Sequence, residues 1–210
     1  MYNLSAASPH ENSAGLLNDI EKCTGGRLII QVLESNELFR LQAFSRDTIS
    51  LAFLANLLKT NYGWTLPGTN QVTLLDSFDN NALIIGAAPG EFIVQLTPAL
   101  AKDFLQTLSG LKEGASEALY TASLITDSRS CFVIAGEAAV DLLAMGSSVD
   151  FHPSAFQVGH SVTTRFAKLA VMIIPLSQSG EFLIIVDRSA AAYLASWIRD
   201  AAEQLTSSLV

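Results

Sequence analysis

Apolar residues recur along the chain with two spacings, which predict a series of helices and strands. Apolar positions three to four residues apart are typical of helices, whereas short apolar runs bounded by Gly, Pro, Asn or Asp are typical of strands. The first spacing predicts helices over residues 15–24, 47–59, 98–111, 137–145 and 189–205. The short runs predict strands over residues 27–34, 37–44, 71–75, 82–87, 91–96, 119–126, 130–135, 162–176 and 181–186.

The residues between strands predict how neighbouring strands connect. Ser35-Asn36 is a two-residue connection that suits a hairpin between residues 27–34 and 37–44. Pro89-Gly90 suits a second hairpin further along the chain. The run 162–176 is too long for one ordinary strand, so we expect it to be a bent or bulged strand.

Two stretches ninety residues apart share the same order of elements. Gly90-Glu91-Phe92 aligns with Gly180-Glu181-Phe182, and strand then aligns with strand and helix with helix as far as Leu108 and Ile198. This shared order predicts an internal duplication. Two units of this kind cannot each bury both faces of their elements, so we expect them to pack together.

The duplication and the turn pattern together predict the fold class. We expect an α+β protein made of two similar αβ units with mainly antiparallel sheet. A flexible N-terminal arm is predicted over residues 1–14, and a single α+β body over 15–210. The pseudo-repeated halves of this body are expected to cover about 26–113 and 118–207.

Composition and charge exclude several classes of partner. The 210 residues include 12 Lys and Arg against 20 Asp and Glu, a net charge of −8, so no basic stripe is available to grip nucleic acid. The longest apolar run, 169–176, is far shorter than the roughly 20 residues that cross a bilayer, so no membrane partner is expected. Charged residues form only 15% of the chain, against about 25% in an average domain, and we expect a protein partner to cover part of the surface.

The N-terminus and the cysteines predict a cytoplasmic protein. The first thirteen residues are polar where a secretory signal would carry basic residues and then an apolar run. Cys23 and Cys131 have neither the spacing of a zinc or redox motif nor the number needed for a disulfide framework.

Residues with catalytic potential are few. His152 and His160 lie eight residues apart without a carboxylate cluster beside them, which would leave the coordination shell of a metal unfilled. Asp150 could orient the imidazole of His152, yet no Ser or Cys nucleophile stands at a fixed spacing from it. We therefore interpret this segment as a structural turn capped by His152. We predict no catalytic, cofactor-binding or metal-binding residue in the chain.

The chain nevertheless resembles a known family over roughly residues 60–205. The C-terminal half of the resemblance rests on Gly136-Glu137-Ala138-Ala139, Leu142-Leu143-Ala144, Gly146, Asp150-Phe151-His152-Pro153, Phe156, Gly159, Phe182, Val186, Arg188-Ser189-Ala190-Ala191-Ala192-Tyr193-Leu194 and Trp197. Upstream it rests on Leu66-Pro67, Asn70, Gly86, Pro89, Glu91 and Asp127-Ser128. In this order the residues resemble the gamma subunit of heterotetrameric sarcosine oxidase.

This resemblance implies both a fold and a function. The implied fold is similar to the folate-binding domain of the glycine-cleavage T-protein. The implied function is that of a non-catalytic gamma subunit, which supports assembly with the folate-binding alpha and flavin-binding beta subunits and with a delta subunit. The resemblance further implies oxidative demethylation of sarcosine to glycine, methylene-tetrahydrofolate and hydrogen peroxide by the complex. FAD, FMN, NAD, tetrahydrofolate and zinc would be held by other subunits, and no cofactor by this chain.

Two hypotheses follow for the surface of the chain. As a subunit it needs apolar and aromatic anchors at an interface, and our candidates for partner contacts are Phe151, His152, Phe156 and Tyr193. The alternative is a stand-alone folate-dependent aminomethyl- or methyl-transferase. Its pocket would need a carboxylate and a basic group, for which Asp127 and Arg165 form the plausible pair.

Overall fold

The computed structural model describes residues 24–33, 36–43, 48–75, 82–110 and 118–207, together with Leu17 and Ile20. The strands in this part of the chain are β1 (Ile29–Leu33), β2 (Glu37–Ala43), β3 (Val72–Leu74), β4 (Leu83–Ala88), β5 (Glu91–Leu96), β6 (Tyr120–Leu124), β7 (Arg129–Ala135), β8 (Val162–Phe166), β9 (Leu169–Ser177) and β10 (Glu181–Asp187). The α-helices are α1 (Thr48–Tyr62), α2 (Pro98–Gly110), α3 (Ala139–Gly146) and α4 (Ala191–Ser207).

The strands form two antiparallel sheets of five strands each. Sheet A has the order β1-β7-β10-β9-β8, and sheet B has the order β3-β4-β5-β2-β6. Every pairing in both sheets is antiparallel. The predicted α+β class with mainly antiparallel sheet is therefore confirmed.

The chain separates into two compact units, each built around one sheet. Unit A contains sheet A and comprises the described residues of Met1–Glu34, Ser128–Val158 and Val162–Val210. Unit B contains sheet B and comprises those of Ser35–Asp127 and Gly159–Ser161. The predicted arm over residues 1–14 lies outside the described residues. The packing of residues 15–210 as a single body stays a prediction.

The same order of elements occurs in both units. Unit B runs β2-α1-β3-β4-β5-α2, and unit A runs β7-α3-β8-β9-β10-α4. Gly90 and Gly180 sit at equivalent hairpin turns with φ of 75° and 85°, a left-handed conformation that glycine adopts without steric cost. The ninety-residue alignment thus matches hairpin with hairpin and following helix with following helix.

The predicted hairpin through Ser35-Asn36 is wrong. Strand β1 pairs with β7 in sheet A, with Ile29 opposite Ala135, whereas β2 pairs with β5 and β6 in sheet B. Ile30 and Val32 of β1 pack against the core of unit A. Both edges of β2 are therefore occupied, one by β5 and the other by β6.

The run 162–176 is also not one bent strand. It forms β8 and β9, joined by a two-residue turn at Ala167 and Lys168 with φ of 50° and 69°. Both values are typical of a type I′ turn, which normally uses Asn and Gly. Because neither residue is Asn or Gly, the sequence carries no turn signal at this point.

Each unit has its own apolar core between the sheet and its helices. In unit A the helical stripe of α4 places Leu194, Ala195 and Ile198 in the core, and the ring of Trp197 lies 4.9 Å from that of Phe166. In unit B, the α2 positions Ala101, Phe104 and Leu108 and the α1 positions Leu54, Leu57 and Leu58 are buried in the same way. These stripes follow the three-to-four spacing read from the sequence.

Candidate functional site

The loop after α3 holds the densest group of polar residues singled out by the sequence. Asp150 Oδ1 accepts the backbone N–H of His152 at 2.9 Å. His152 Nδ1 lies 2.8 Å from the Ser154 hydroxyl and accepts the backbone N–H of Ser154 at 3.3 Å. The carboxylate and the imidazole therefore both hold the backbone of the loop. The prediction that His152 caps a turn is confirmed.

Phe151 is a core residue of unit A. Its side chain is only 2% exposed, and its ring lies 6.2 Å from that of Phe182 and 5.8 Å from that of Phe156. A side chain buried inside its own unit has no surface to offer a partner, so Phe151 as a partner contact is a prediction that the burial contradicts. Phe156 is partly buried against the same core.

The other two candidates for partner contacts are exposed. His152 lies on the surface of the loop, and Tyr193 is 48% exposed on α4. Within the described ranges, no hydrogen bond, ion pair or ring contact joins Tyr193 to the loop that contains His152. The four residues therefore divide into buried Phe151 with its partly buried neighbour Phe156, and two separate surface positions. Contact of His152 or Tyr193 with a partner stays a prediction.

Several residues that carry the family resemblance fix the path of the backbone. The N–H of Asn70 donates to the carbonyl of Gly86 at 2.8 Å, and the N–H of Gly86 donates to the carbonyl of Gln71 at 2.9 Å. A Cβ on Gly86 would lie 2.8 Å from the carbonyl carbon of Gly68. These residues are required for close packing of a loop on β4.

The remaining chemistry of the described residues is structural. Burial raises the pKa of the Cys131 thiol to about 12, so it stays protonated and is a poor nucleophile or ligand. No group of three or more His, Cys, Asp or Glu able to hold a metal ion occurs within the described ranges. Asp127 lies in a short 3-10 helix of unit B, and Arg165 lies on β8 of unit A. None of the helices in the described part of the chain is long and apolar enough to cross a membrane.

The feature that sequence analysis missed is the exposed edge strand β6. Two open clefts adjoin this strand, each of about 500 Å³. One is lined by Gln42, Ala43, Pro89, Gly90, Glu91, Leu119, Tyr120 and Thr121. The other is lined by Glu37, Pro98, Ala101, Lys102, Leu105, Gln106, Ser109 and Leu124. The signal that could have revealed the edge is the uncharged run over residues 118–126, in an otherwise acidic chain.

Comparison with known proteins decides the family. A family model described as "Sarcosine oxidase, gamma subunit" (SoxG) matches residues 47–204, about three quarters of the chain. The chain belongs to the sarcosine oxidase gamma subunit family. No curated protein sequence matches it significantly.

Solved structures agree with the fold of this gamma subunit family member. A chain of the heterotetrameric sarcosine oxidase from Corynebacterium sp. U-96 superposes with a TM-score of 0.74 at 23% identity, over 93% of this chain and 95% of that one. The glycine cleavage system aminomethyltransferase T from Bartonella henselae superposes with a TM-score of 0.57 at 13% identity, over 90% of this chain and 52% of that one. The predicted similarity to the T-protein fold is therefore confirmed.

Proposed function

We propose that this chain is the non-catalytic gamma subunit of a heterotetrameric sarcosine oxidase. In this proposal it supports assembly with alpha, beta and delta subunits in the cytoplasm, and the complex oxidatively demethylates sarcosine or a related N-methyl amino acid. The observation that carries the proposal is the family match over residues 47–204. The length of the structural match supports it, because the chain covers 95% of the similar chain from a heterotetrameric oxidase.

The candidate loop supports a structural role for this subunit. The Asp150 carboxylate accepts the backbone N–H of His152, and the His152 imidazole bonds the hydroxyl and the backbone N–H of Ser154, which is the arrangement of a turn. In a Ser-His-Asp triad the carboxylate bonds the imidazole instead of the backbone. We propose that the flavins, NAD, tetrahydrofolate and zinc of the complex are bound by the other subunits.

Co-purification tests this proposal. The chain would be tagged, co-expressed with the alpha, beta and delta subunits of the proposed complex, and isolated through its tag. We expect a stoichiometric complex that carries flavin absorbance and produces hydrogen peroxide from sarcosine, whereas the tagged chain alone has neither. If the other three subunits form a fully active oxidase that never retains this chain, the proposed function is wrong.

The transferase alternative is separated by a second measurement. A stand-alone folate-dependent transferase binds tetrahydrofolate without partners, so calorimetry on the isolated chain distinguishes the two. We expect no binding at micromolar tetrahydrofolate. Micromolar binding together with failure to join the complex would favour the transferase.

A further inference from the structure

The edges of the two sheets differ in how they are protected. An unprotected edge strand offers free backbone donors and acceptors to another chain, and proteins commonly shorten, charge or cover such edges. In unit B, β3 has only three residues. In unit A, β8 carries Arg165, and β1 packs against a core cluster that includes Leu17 and Ile20. Strand β6 has five residues, no charge and no proline, and four of its five residues are exposed.

The backbone of β6 offers hydrogen-bonding groups along its outer side. The Ile125 N–H donates to the Leu38 carbonyl at 2.8 Å, which places residues 121, 123 and 125 in hydrogen-bonded register with β2. In antiparallel sheets the intervening residues point their N–H and C=O groups the other way. Tyr120, Ala122 and Leu124 therefore direct these groups outward, and none of the described residues bonds them.

Unit B carries most of the exposed large apolar side chains, and Leu105, Leu119 and Leu124 line the clefts beside this edge. Seven large apolar side chains are exposed among the described residues, and five of them belong to unit B. Those five are Ile49, Leu51, Leu105, Leu119 and Leu124. The first turn of α1 reaches the start of β6, because the Leu119 N–H donates to the Ser50 hydroxyl at 2.7 Å.

The apolar side of β6 continues the core face of sheet B. Leu124 lies opposite Phe39, Ala122 opposite Leu41 and Tyr120 opposite Ala43. Directly opposed residues share a face, and these β2 residues are buried in the core of unit B. Leu124 remains 53% exposed beside Leu105 of α2, which is 43% exposed, so the helices leave the last strand uncovered.

Charge selects the kind of strand that could cover this edge. Lys102 lines the cleft beside Leu105 and Leu124 and has no ion-pair partner among the described residues. Glu37, in the same cleft, accepts the hydroxyl of Thr126 at 2.5 Å. If a second copy of this chain paired antiparallel with β6 and the pairing were centred on Ala122, Leu124 of one copy would face Tyr120 of the other. Lys102, which lies beside Leu124, would then face the start of the other β6 strand, whose residues carry no charge. An extended segment of a different protein can instead supply a carboxylate.

We propose that an extended segment of another oxidase subunit adds to sheet B as a sixth strand along β6. This inference rests on the proposed function and specifies the surface used. Alternate side chains of the added segment are apolar and cover Leu105 and Leu124, and a carboxylate at its end pairs with Lys102. Its backbone bonds the outward N–H and C=O groups of Tyr120, Ala122 and Leu124.

Two variants test the backbone and the side-chain parts of this proposal separately in the co-expressed complex. Ala122→Pro removes an outward N–H, because proline has no donor. It leaves the pairing with β2 intact, because residues 121, 123 and 125 make those hydrogen bonds. Leu124→Lys leaves the backbone unchanged and places a charge in the apolar cleft. Met145→Lys is the matched control, since Met145 is a 43% exposed apolar residue of unit A. Thermal unfolding of each isolated variant verifies that it is folded.

We expect wild type and Met145→Lys to retain the other subunits equally, and Ala122→Pro and Leu124→Lys to retain at least tenfold less. Lys102→Glu is expected to weaken retention at low salt and to have less effect at 0.5 M salt, because exposed charges are screened. If the wild type fails to co-purify, the proposed function fails. If it co-purifies and both β6 variants do so fully, the strand proposal alone is overturned. A dimer of the isolated chain that Leu124→Lys abolishes, with complex yield unchanged, assigns β6 to a second copy and also overturns it.

Discussion

Individual side chains show why an aromatic residue in a loop is not by itself an interface residue. Phe151 and Tyr193 were both candidates for partner contacts, but one is 2% exposed and the other 48%. The local sequence shows that an aromatic residue is present, but the burial of its ring depends on residues that are distant in the chain. Phe151 lies in a core with Phe156 and Phe182, residues that are five and thirty-one positions later in the chain.

These burials predict unequal costs on truncation. Phe151→Ala is expected to lower the free energy of unfolding by about 3–5 kcal/mol, the usual cost of removing a buried aromatic ring. Tyr193→Ala should change it by no more than about 0.5 kcal/mol, as expected for an exposed position. Denaturant unfolding of the isolated chain measures both. Equal costs for the two variants would contradict the assignment of Phe151 to the core.

The Cys131 thiol gives the stability of the chain a pH dependence. Burial raises its pKa in the folded chain from 9.0 to about 12, so the folded state holds this proton more tightly than the unfolded state. Below pH 9 both states are protonated and the group has no effect on stability. Between pH 9 and 12 only the unfolded thiol ionises, which favours unfolding.

Cys131→Ala removes this contribution. The loss of unfolding free energy between pH 8 and pH 10 is expected to be smaller in the variant than in the wild type by about 1 kcal/mol. The comparison of the two pH dependences cancels the cost of the truncation itself and the titration of other groups. Parallel pH curves for the two proteins would mean that Cys131 ionises equally in both states.

Among the elements, the bounds of several helices and strands were predicted well, whereas some of their connections were not. The helix predicted over 98–111 is Pro98–Gly110, and the strand predicted over 91–96 is Glu91–Leu96. Bounds depend on local periodicity and on Pro and Gly at the ends, which the sequence displays. The pairing of β1 with β7 joins residues about one hundred positions apart, and no local pattern specifies it.

The turn between β8 and β9 shows how a local rule can also fail. Ala167 is 5% exposed, and its N–H donates to the Gly146 carbonyl at 3.0 Å. Burial and this hydrogen bond within unit A thus hold Ala167 in the left-handed conformation. Sequence rules for turns name the residues that adopt a positive φ with the least strain. In this turn, tertiary contacts offset the strain of a residue that the rules do not name.

Replacing Lys168 by glycine is expected to stabilise the chain. A non-glycine residue in the left-handed region carries a penalty of about 1–2 kcal/mol, which glycine avoids at a fixed φ of 69°. Lys168→Gly should therefore raise the free energy of unfolding by about 1 kcal/mol. Lys168→Ala is the matched control, because it also removes the charge and keeps the strained φ. If both variants change stability alike, the effect comes from the charge and the strain argument is wrong.

For the whole molecule, the two repeats differ from a simple tandem duplication by an exchange of strands. Strand β1 precedes β2 in the chain and lies in sheet A, while β6 precedes β7 and lies in sheet B. Each sheet is thus completed by the strand that precedes the other repeat. This exchange is the reason that the predicted Ser35-Asn36 hairpin is wrong. Strands β1 and β2 are adjacent in sequence, which favours a hairpin, but they belong to different sheets.

The exchange makes a prediction about which strands depend on β1. Val32 packs against the core of unit A and lies opposite Phe132 of β7. Val32→Asp would place a charge against this apolar core, loosen β1 and speed amide hydrogen exchange in peptides that cover β7. Peptides that cover β2 should exchange at the wild-type rate, although β2 is the next strand in sequence. Mass spectrometry under native conditions measures both.

Gln31→Asp is the matched control for this test. Gln31 is the exposed neighbour of Val32 in the same strand, so it introduces the same charge without burial and should leave both sets of peptides unchanged. Faster exchange in β2 and not in β7 would mean that β1 forms the local hairpin in solution. Faster exchange in β7 alone would identify β1 as part of the sheet formed by strands of the C-terminal half.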